Sequence, residues 1–582
     1  MTQTCTAPAA EEATLAALQE HEPASFGAMF LQRAAEQPDA VAYLRPGPDG
    51  WREQTWAQTA RAVTEIAAGL LALGLRPEDR VAIASGTRVE WIEADFGVMC
   101  AGGATTTVYP SSSADEVAHI LTDSGSRFAI VEDPTHLSKI LFPGTPVERA
   151  VLISGADPRA ITLAELRELG SPETVDAAVA AVRPDDLATL IYTSGTTGLP
   201  KGVRVAHRAW IYQGLAIRAM GIVRPDDLGY LWLPLSHAFG KALLSCQLSV
   251  GFAFAVDGDV GRIVRRLGEV RPTIMPAVPR IFEKVYAAVS AATGVQKLLL
   301  NWAVGVASER RSGLRFRIAD RLVLAKVRAR FGGRMRFFIS GAAALSPDIA
   351  RWFGAIGLPI AEGYGLTESC ATTIFNRPDR PEYGTVGMPL PGTAVRIAGD
   401  GEILLRGPGL MQGYHGLDSS AVLVDGWLHT GDIGEITPAG SLRITDRKKD
   451  LIKTSNGKYV APQTLESRFK AICPLAGQLV VHGEKRKYIT ALIDLDPDEA
   501  AKFAAAHGLD SGSVARSDVL RAELQDCVDR LNGTLNSWET VKKFAVLDQP
   551  LSVENGELTA SLKLRRRVIE ERYRAVLDGL YA

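Results

Sequence analysis

Cysteine is scarce. Six residues (Cys5, Cys100, Cys246, Cys370, Cys473 and Cys527) are scattered over 582 positions, and no two form a C-x-x-C pair. Neither a zinc site nor a disulfide framework is suggested, and buried free thiols in a reducing cytoplasm are expected. A surplus of positive charge is also missing. Lys and Arg number 64 against 66 Asp and Glu, a net charge of -2, so no global field argues for a nucleic-acid partner. Long apolar runs are absent as well. The longest strongly apolar stretch, residues 242–256, falls short of the roughly 20 residues that cross a bilayer. The uncharged stretch 96–114 is rich in Gly, Thr, Ser and Pro and is no span either. Residues 1–20 lack a basic start and carry Glu11, Glu12 and Glu20, unlike a secretory leader. The expectation is a soluble protein with at most peripheral membrane contact. No internal repeat or low-complexity segment is visible.

What is present reads as an ordinary globular chain, 46% hydrophobic and 22% charged. Its length exceeds one compact core, so two or more domains are expected. Residues 25–37 and 55–73 read as amphipathic helices. In the second, Val63, Ile66, Ala67 and Leu70 share a face and Gly74 is a C-cap. Strands at 81–84, 105–109 and 128–131 alternate with helices at 91–100 and 114–122. That alternation predicts α/β layers around a mostly parallel sheet. Strands follow at 231–234, 273–279, 336–340 and 360–365, around a mostly helical, Arg- and Ala-rich stretch at 282–331. From Gly384 short strands and Gly/Pro turns predict a small β-rich subdomain, continued by 428–433 and 441–445. The charge run Asp446-Arg447-Lys448-Lys449-Asp450 marks the boundary between domains 1–446 and 447–582, the latter starting a new αβ pattern.

The run Thr193-Ser194-Gly195-Thr196-Thr197-Gly198-Leu199-Pro200-Lys201-Gly202 lies between a buried strand at 187–191 and an alternating one at 203–205. Its glycines let backbone N–H groups turn toward an anion, four hydroxyls add donors, and Lys201 adds charge. That chemistry suits a polyphosphate. It is not the common P-loop, because Lys201 sits between Pro200 and Gly202 and a strand, not a helix, follows. A second run, Glu362-Gly363-Tyr364-Gly365-Leu366-Thr367-Glu368, delivers a ring between two glycines and then an acid. Tyr364 suits stacking on a purine, and Glu368 suits Mg²⁺; alone, the pair reads equally as a core tyrosine and a solvated glutamate. In the third run, 426–432, Asp432 on a short turn suits the two hydroxyls of a ribose, or an Asx-turn.

The run from Thr193 to Gly202 resembles the phosphate loop of the adenylate-forming enzymes: acyl-CoA synthetases, non-ribosomal adenylation domains and firefly luciferase. The resemblance extends from about Ser25 to the C-terminus. It implies that family's fold, a large N-terminal domain and a small mobile α+β C-terminal domain. It implies ATP contacts from Thr193, Ser194, Gly195, Thr196, Thr197 and Gly198, with Lys201 acting in catalysis. Ser340-Gly341-Ala342-Ala343 resembles the segment beside adenine, which assigns Gly341 and Ala342. Glu362, Gly363, Tyr364, Gly365 and Thr367 match the adenine motif, and Glu368 with Thr193 the magnesium site. Asp432 and Arg447 match the ribose contacts, and Lys449 falls at the hinge. Lys563, in Asn555-Gly556-Glu557-Leu558-Thr559-Ala560-Ser561-Leu562-Lys563, resembles the catalytic lysine. Leu562 stands where Gly is commoner, a departure shared with long-chain fatty acyl-CoA synthetases. Residues 278–286 and 445–454, the latter including Lys453, also resemble that branch. Pro234-Leu235-Ser236-His237 resembles the His motif at the acyl or pantetheine entrance, and Ser455-Asn456-Gly457-Lys458 the loop that meets the thiol carrier.

The implied reaction joins a fatty acid to AMP, releases pyrophosphate and passes the acyl group to coenzyme A, with ATP and Mg²⁺. An acyl carrier protein as acceptor, an aryl or short acid as substrate, and a non-catalytic nucleotide-binding regulator are the alternatives. No inserted motif of the carrier-loading branch stands between Glu368 and Gly401. The chain is expected as a monomer or homodimer.

Overall fold

The computed structural model describes residues 4–582 apart from 194–198, 291–293, 310, 449, 456–457, 511–513 and 560–562. Two large sheets form its body. The first has eight strands, with Ala104–Val108, Arg80–Ala84, Phe128–Val131, Arg149–Leu152 and Ile161–Thr162 running parallel from the centre to one edge. At the other edge Leu187–Thr193 turns back antiparallel into Lys201–Ala206, which pairs with Gly413–Tyr414. The second sheet has nine strands, parallel in its middle through Leu228–Leu231, Ile274–Ala277, Phe337–Ser340 and Ile360–Tyr364. Helices cover the sheet faces, as the alternating sequence predicts for parallel strands buried on both sides.

Local signals set the helix limits. Thr55 and Gln58 form a reciprocal capping box at the start of Trp56–Ala72. Ser113 caps Ala114–Ser124, and Gly125 ends it with φ +60°, a conformation glycine adopts without steric cost. The β-rich part expected from Gly384 is a six-stranded sheet that includes Ala394–Ile397, Glu402–Arg406, Trp427–Ile436 and Leu442–Arg447. Asp446 and Arg447 therefore finish a strand, with Arg447 opposite Asp432. The helical stretch at 282–331 is divided into Pro279–Ser290, Gly294–Glu309, Leu314–Ala319 and Ala325–Ala329, the last two joined by a π-helical turn. The hairpin Val41–Gly47 with Gly50–Thr55 escapes a period-2 reading because polar residues fill its second strand.

The fully buried cores are separate, with Ala471 of the C-terminal region packing half-buried against the body. The two clusters of the large body draw buried residues from Leu15 to Leu442. Two further clusters draw only on residues from Ile452 onward, around the sheet Ala476–His482, Ile489–Leu495 and Val541–Val546. Inside the large core stands a charge pair. Lys241 Nζ lies 2.7 and 2.8 Å from the two Asp95 oxygens, Thr105 donates to Asp95 at 2.7 Å, and both charged side chains are fully buried. Burial lowers the Lys241 pKa while Asp95 opposes the shift. The pair ties helix Val89–Cys100 to helix Ala238–Val250. No described helix is long and apolar enough to cross a membrane.

Candidate active site

At the mouth of the glycine- and threonine-rich run, Thr193 faces Lys201 across the antiparallel pair, and Thr193 Oγ1 lies 3.5 Å from the Lys201 carbonyl. The candidates Ser194, Gly195, Thr196, Thr197 and Gly198 lie outside the described residues. Both flanks are held. Tyr192 donates to Asp123 at 2.5 Å, His119 Nε2 lies 2.8 Å from the Pro200 carbonyl, and His415 N–H donates to the Gly202 carbonyl at 2.7 Å. Lys201 Nζ sits 5.2 Å from the centre of the Tyr414 ring, and Tyr414 donates to Glu368 Oε1 at 2.8 Å. Burial and the Glu368 charge push the Tyr414 phenol up, so it stays a donor. A cation, a ring and a carboxylate thus share one wall.

The opposite wall comes from the second sheet. Strand Phe337–Ser340 ends at Gly341, where a Cβ would stand 3.2 Å from the Phe239 ring. Ala342 follows at φ +69°, an uncommon conformation for a residue with a Cβ. On the neighbouring strand Ile360–Tyr364, a Cβ at Gly363 would meet the Phe375 ring at 3.1 Å. At Gly365 a Cβ would lie 1.9 Å from the Ala371 carbonyl oxygen, so no other residue fits. Thr367 opens the short turn Thr367–Ser369 that holds Glu368. Ser340 and Glu362 stand in register on adjacent strands, and Ser340 Oγ and Glu362 Oε1 are buried without a partner among the described residues. Burial pushes the Glu362 carboxyl up to about 8, so at neutral pH it keeps its proton. Unpaired buried polar atoms are costly, and two of them on adjacent strands fit a polar ligand.

Between the walls lies Asp432. Its Oδ2 accepts from Tyr364 at 2.7 Å and its Oδ1 from Arg447 Nε at 3.0 Å. Tyr364, buried, is therefore fixed by its hydroxyl. Each carboxylate oxygen retains acceptor capacity for a ribose hydroxyl.

Lys563 arrives from the C-terminal region. Leu558 and Leu564 form a bridge, Thr559 N–H donates to the Lys563 carbonyl at 2.8 Å, and Lys563 N–H donates to Thr559 Oγ1 at 3.0 Å. The ammonium feels Arg447, Asp432 and Glu368 at once. Crowding by surrounding protein draws its pKa down to about 8, and Arg447 adds to that while Asp432 and Glu368 oppose it. The side chain is nonetheless exposed to solvent. His237 feels the same charge. Burial first, then Lys563, lower its pKa to about 4. Its Nδ1 accepts from Phe239 N–H at 3.1 Å, capping helix Ala238–Val250, so the neutral ring carries its proton on Nε2.

Arg565, two residues past the lysine, donates to Glu116 at 2.8 Å. Glu116, His119 and Asp123 recur along helix Ala114–Ser124, so this one helix grips both flanks of the glycine-rich run and the lysine segment. Arg280 pairs with Asp496, and Lys284 with Asp498 at 3.4 Å, farther out on the same junction. The sequence reading missed Glu116, His119, Phe239 and Tyr414. The polar i, i+3, i+7 spacing on that helix is the one signal that could have found the first two. Lys453 does not join the site; its Nζ lies 5.3 Å from the Tyr459 ring centre on the C-terminal region. Lys449 and Gly457 lie outside the described residues.

Residues 30–415 match the AMP-binding enzyme family, and residues 449–582 match the AMP-binding enzyme C-terminal domain. The chain belongs to the AMP-binding enzyme family. As a member of it, the chain is 34% identical to the long-chain-fatty-acid–CoA ligase FadD15 of Mycobacterium tuberculosis, over 97% of each chain. Its fold is that of other AMP-binding enzymes. The anthranilate CoA ligase AuaEII, solved with anthranoyl-AMP, superposes with a TM-score of 0.74 at 20% identity, covering 96% of this chain and 99% of that one. The o-succinylbenzoate CoA synthetase MenE of Bacillus subtilis, solved with ATP and a magnesium ion, gives 0.67 at 22%, covering 93% and 98%. The fold reading, α/β layers with a β-rich subdomain and a separate C-terminal α+β domain, holds.

Proposed function

We propose that this AMP-binding enzyme is a long-chain fatty acid–CoA ligase. It joins a fatty acid to the α-phosphate of ATP, releases pyrophosphate, and transfers the acyl group to the thiol of coenzyme A. The observation that carries the reading is that Lys563, from a region with its own buried core, comes close enough to Asp432, Arg447 and Glu368 for their charges to act on it. Full-length identity to a ligase named for long-chain fatty acids supports the substrate class.

A carboxylate is a poor acyl donor because oxide is a poor leaving group. Its oxygen attacks the α-phosphorus, the bond to the β-phosphate oxygen breaks, and AMP becomes the new leaving group. Two anions must meet, so fixed cations and donors lower the barrier. Lys563 bridges the carboxylate and the α-phosphate. Lys201 and the hydroxyls of the run from Thr193 receive the departing pyrophosphate. Asp432, held by Tyr364 and Arg447, orients the ribose, and the backbone at Gly341 and Gly363 takes the base. Glu368 and Thr193 supply hard oxygen ligands for Mg²⁺, which when bound neutralises phosphate charge. The thiol then attacks the acyl carbon and AMP leaves.

The thiol needs access to a face that Lys563 covers. A division into 1–446 and 447–582, pivoting near Lys449, supplies it: each side has its own fully buried core and the described contacts across the junction include ion pairs. Lys449→Pro is expected to spare adenylation and slow thioester formation; equal loss of both steps would reject the pivot. The reaction itself is tested by pyrophosphate release with acids of graded length, then with coenzyme A and with acyl carrier protein added. Release that peaks with long chains and thioester formed on coenzyme A support the reading. A preference for aryl acids, or transfer only to the carrier protein, would replace it.

A further inference from the structure

The polypeptide between strands Ile274–Ala277 and Phe337–Ser340 takes a long helical detour before rejoining the sheet beside Gly341. Seven large apolar side chains on this detour, between positions 295 and 322, are exposed. Helix Gly294–Glu309 buries one face through Leu300, Ala303 and Ala307. Val295, Leu298, Leu299 and Trp302 form a second apolar stripe on it, at the i, i+3, i+4, i+7 spacing of a single face. Leu314, Ile318 and Leu322 continue the stripe along the next helix, where Ala319 and Leu324 face inward. Leu298 and Leu314 are 70% and 73% exposed, and it is their grouping with other apolar side chains, not single exposure, that marks an interaction surface.

The charges around the stripe are one-sided. Arg315, Arg317 and Arg321 interleave with it and are exposed, and Lys297, Lys326 and Arg330 flank it. Of the two acids in the described hairpin, Glu309 and Asp320, the second is already paired with Arg328 at 2.7 Å. Apolar side chains with a tryptophan, set among exposed arginines, match a surface that is apolar a few ångströms below an anionic layer. An amphipathic helix lying in a bilayer interface has this composition.

We propose that this helical hairpin docks the protein onto an anionic lipid surface. The stripe enters the headgroup–acyl boundary and the arginines meet lipid phosphates. The proposal stands on the hairpin alone and does not depend on which acid the enzyme activates.

The test is co-flotation of the full chain with vesicles of phosphatidylcholine, with and without about 30% phosphatidylglycerol, at low and high salt. The anionic vesicles are expected to carry the protein, and salt to weaken binding. Leu298→Glu with Trp302→Glu should reduce partitioning about tenfold or more, and so should Arg315→Glu with Arg317→Glu and Arg321→Glu. All five positions are exposed, so the thermal midpoint and pyrophosphate exchange with a water-soluble acid should stay unchanged, which separates lost docking from lost folding. Absence of flotation with anionic vesicles, or unchanged flotation of both variants, overturns the proposal. So does a dimer, by light scattering, that Leu298→Glu with Trp302→Glu converts to monomer, since a second copy would then cover the face.

Discussion

The two regions flanking residues 447–450 are built on different terms. The large body knits its sheets into cores that run from Leu15 to Leu442 and locks a charge pair, Lys241 with Asp95, in the middle. The C-terminal domain has smaller cores of its own, and its described polar ties to the body include Arg565–Glu116, Arg280–Asp496 and Lys284–Asp498. Buried apolar area resists rearrangement because all of it must be re-exposed to water. Part-exposed ion pairs exchange one partner for solvent at little cost. The region that carries Lys563 is thus tied to the body on weaker terms than the body is tied to itself.

That contrast breaks most severely at the lysine. Lys563→Ala should cut pyrophosphate exchange by about 10³-fold, because it removes the charge bridging two anions. It should leave the attack of coenzyme A on supplied acyl-AMP nearly intact. Normal exchange in this variant would remove Lys563 from the reaction. Lys241→Met should destabilise the large body by about 3–5 kcal/mol, since Asp95 is left charged and buried. Denaturant unfolding should show the loss in the transition of the body while the C-terminal domain melts as before; a shift of both would mean the regions are not independent.

A pH profile sharpens the same comparison. Lys563 is cationic below its pKa of about 8 and neutral above it. Adenylation kcat/KM should therefore hold up to about pH 8 and fall about tenfold per unit beyond it. Lys563→Arg should flatten that limb, because a guanidinium keeps its charge. The smallest effect is expected at the latch. Glu116→Gln weakens a part-exposed pair, so adenylation should drop only about two- to threefold, with thioester formation unchanged or faster. A loss equal to that of Lys563→Ala would make Glu116 part of the chemistry.

Sequence and structure agree best where function is written in contiguous runs. The strand–loop–strand around Lys201, the glycines at 363 and 365, and the αβ alternation are all local patterns. What stayed hidden needs partners far apart in the chain. Glu116 meets Arg565 across 449 positions, Tyr414 meets Glu368 across 46, and Lys241 meets Asp95 across 146. No periodicity reports such meetings. The run 446–450 shows the limit of charge counting: Asp446, in the midst of it, is buried at the end of a strand and its carboxyl is pushed up to about 7 by that burial. Alternation marks where side chains point, and charge count does not.

The pair at the centre of the body also constrains how the chain is free to vary over generations. Replacing either Lys241 or Asp95 alone strands its counterpart without solvent, while exchanging both for apolar residues of similar volume is close to neutral. The first mutational step is therefore costly and the second restorative. Lineages descended from such a chain should keep both residues or have lost both, with single-change survivors rare.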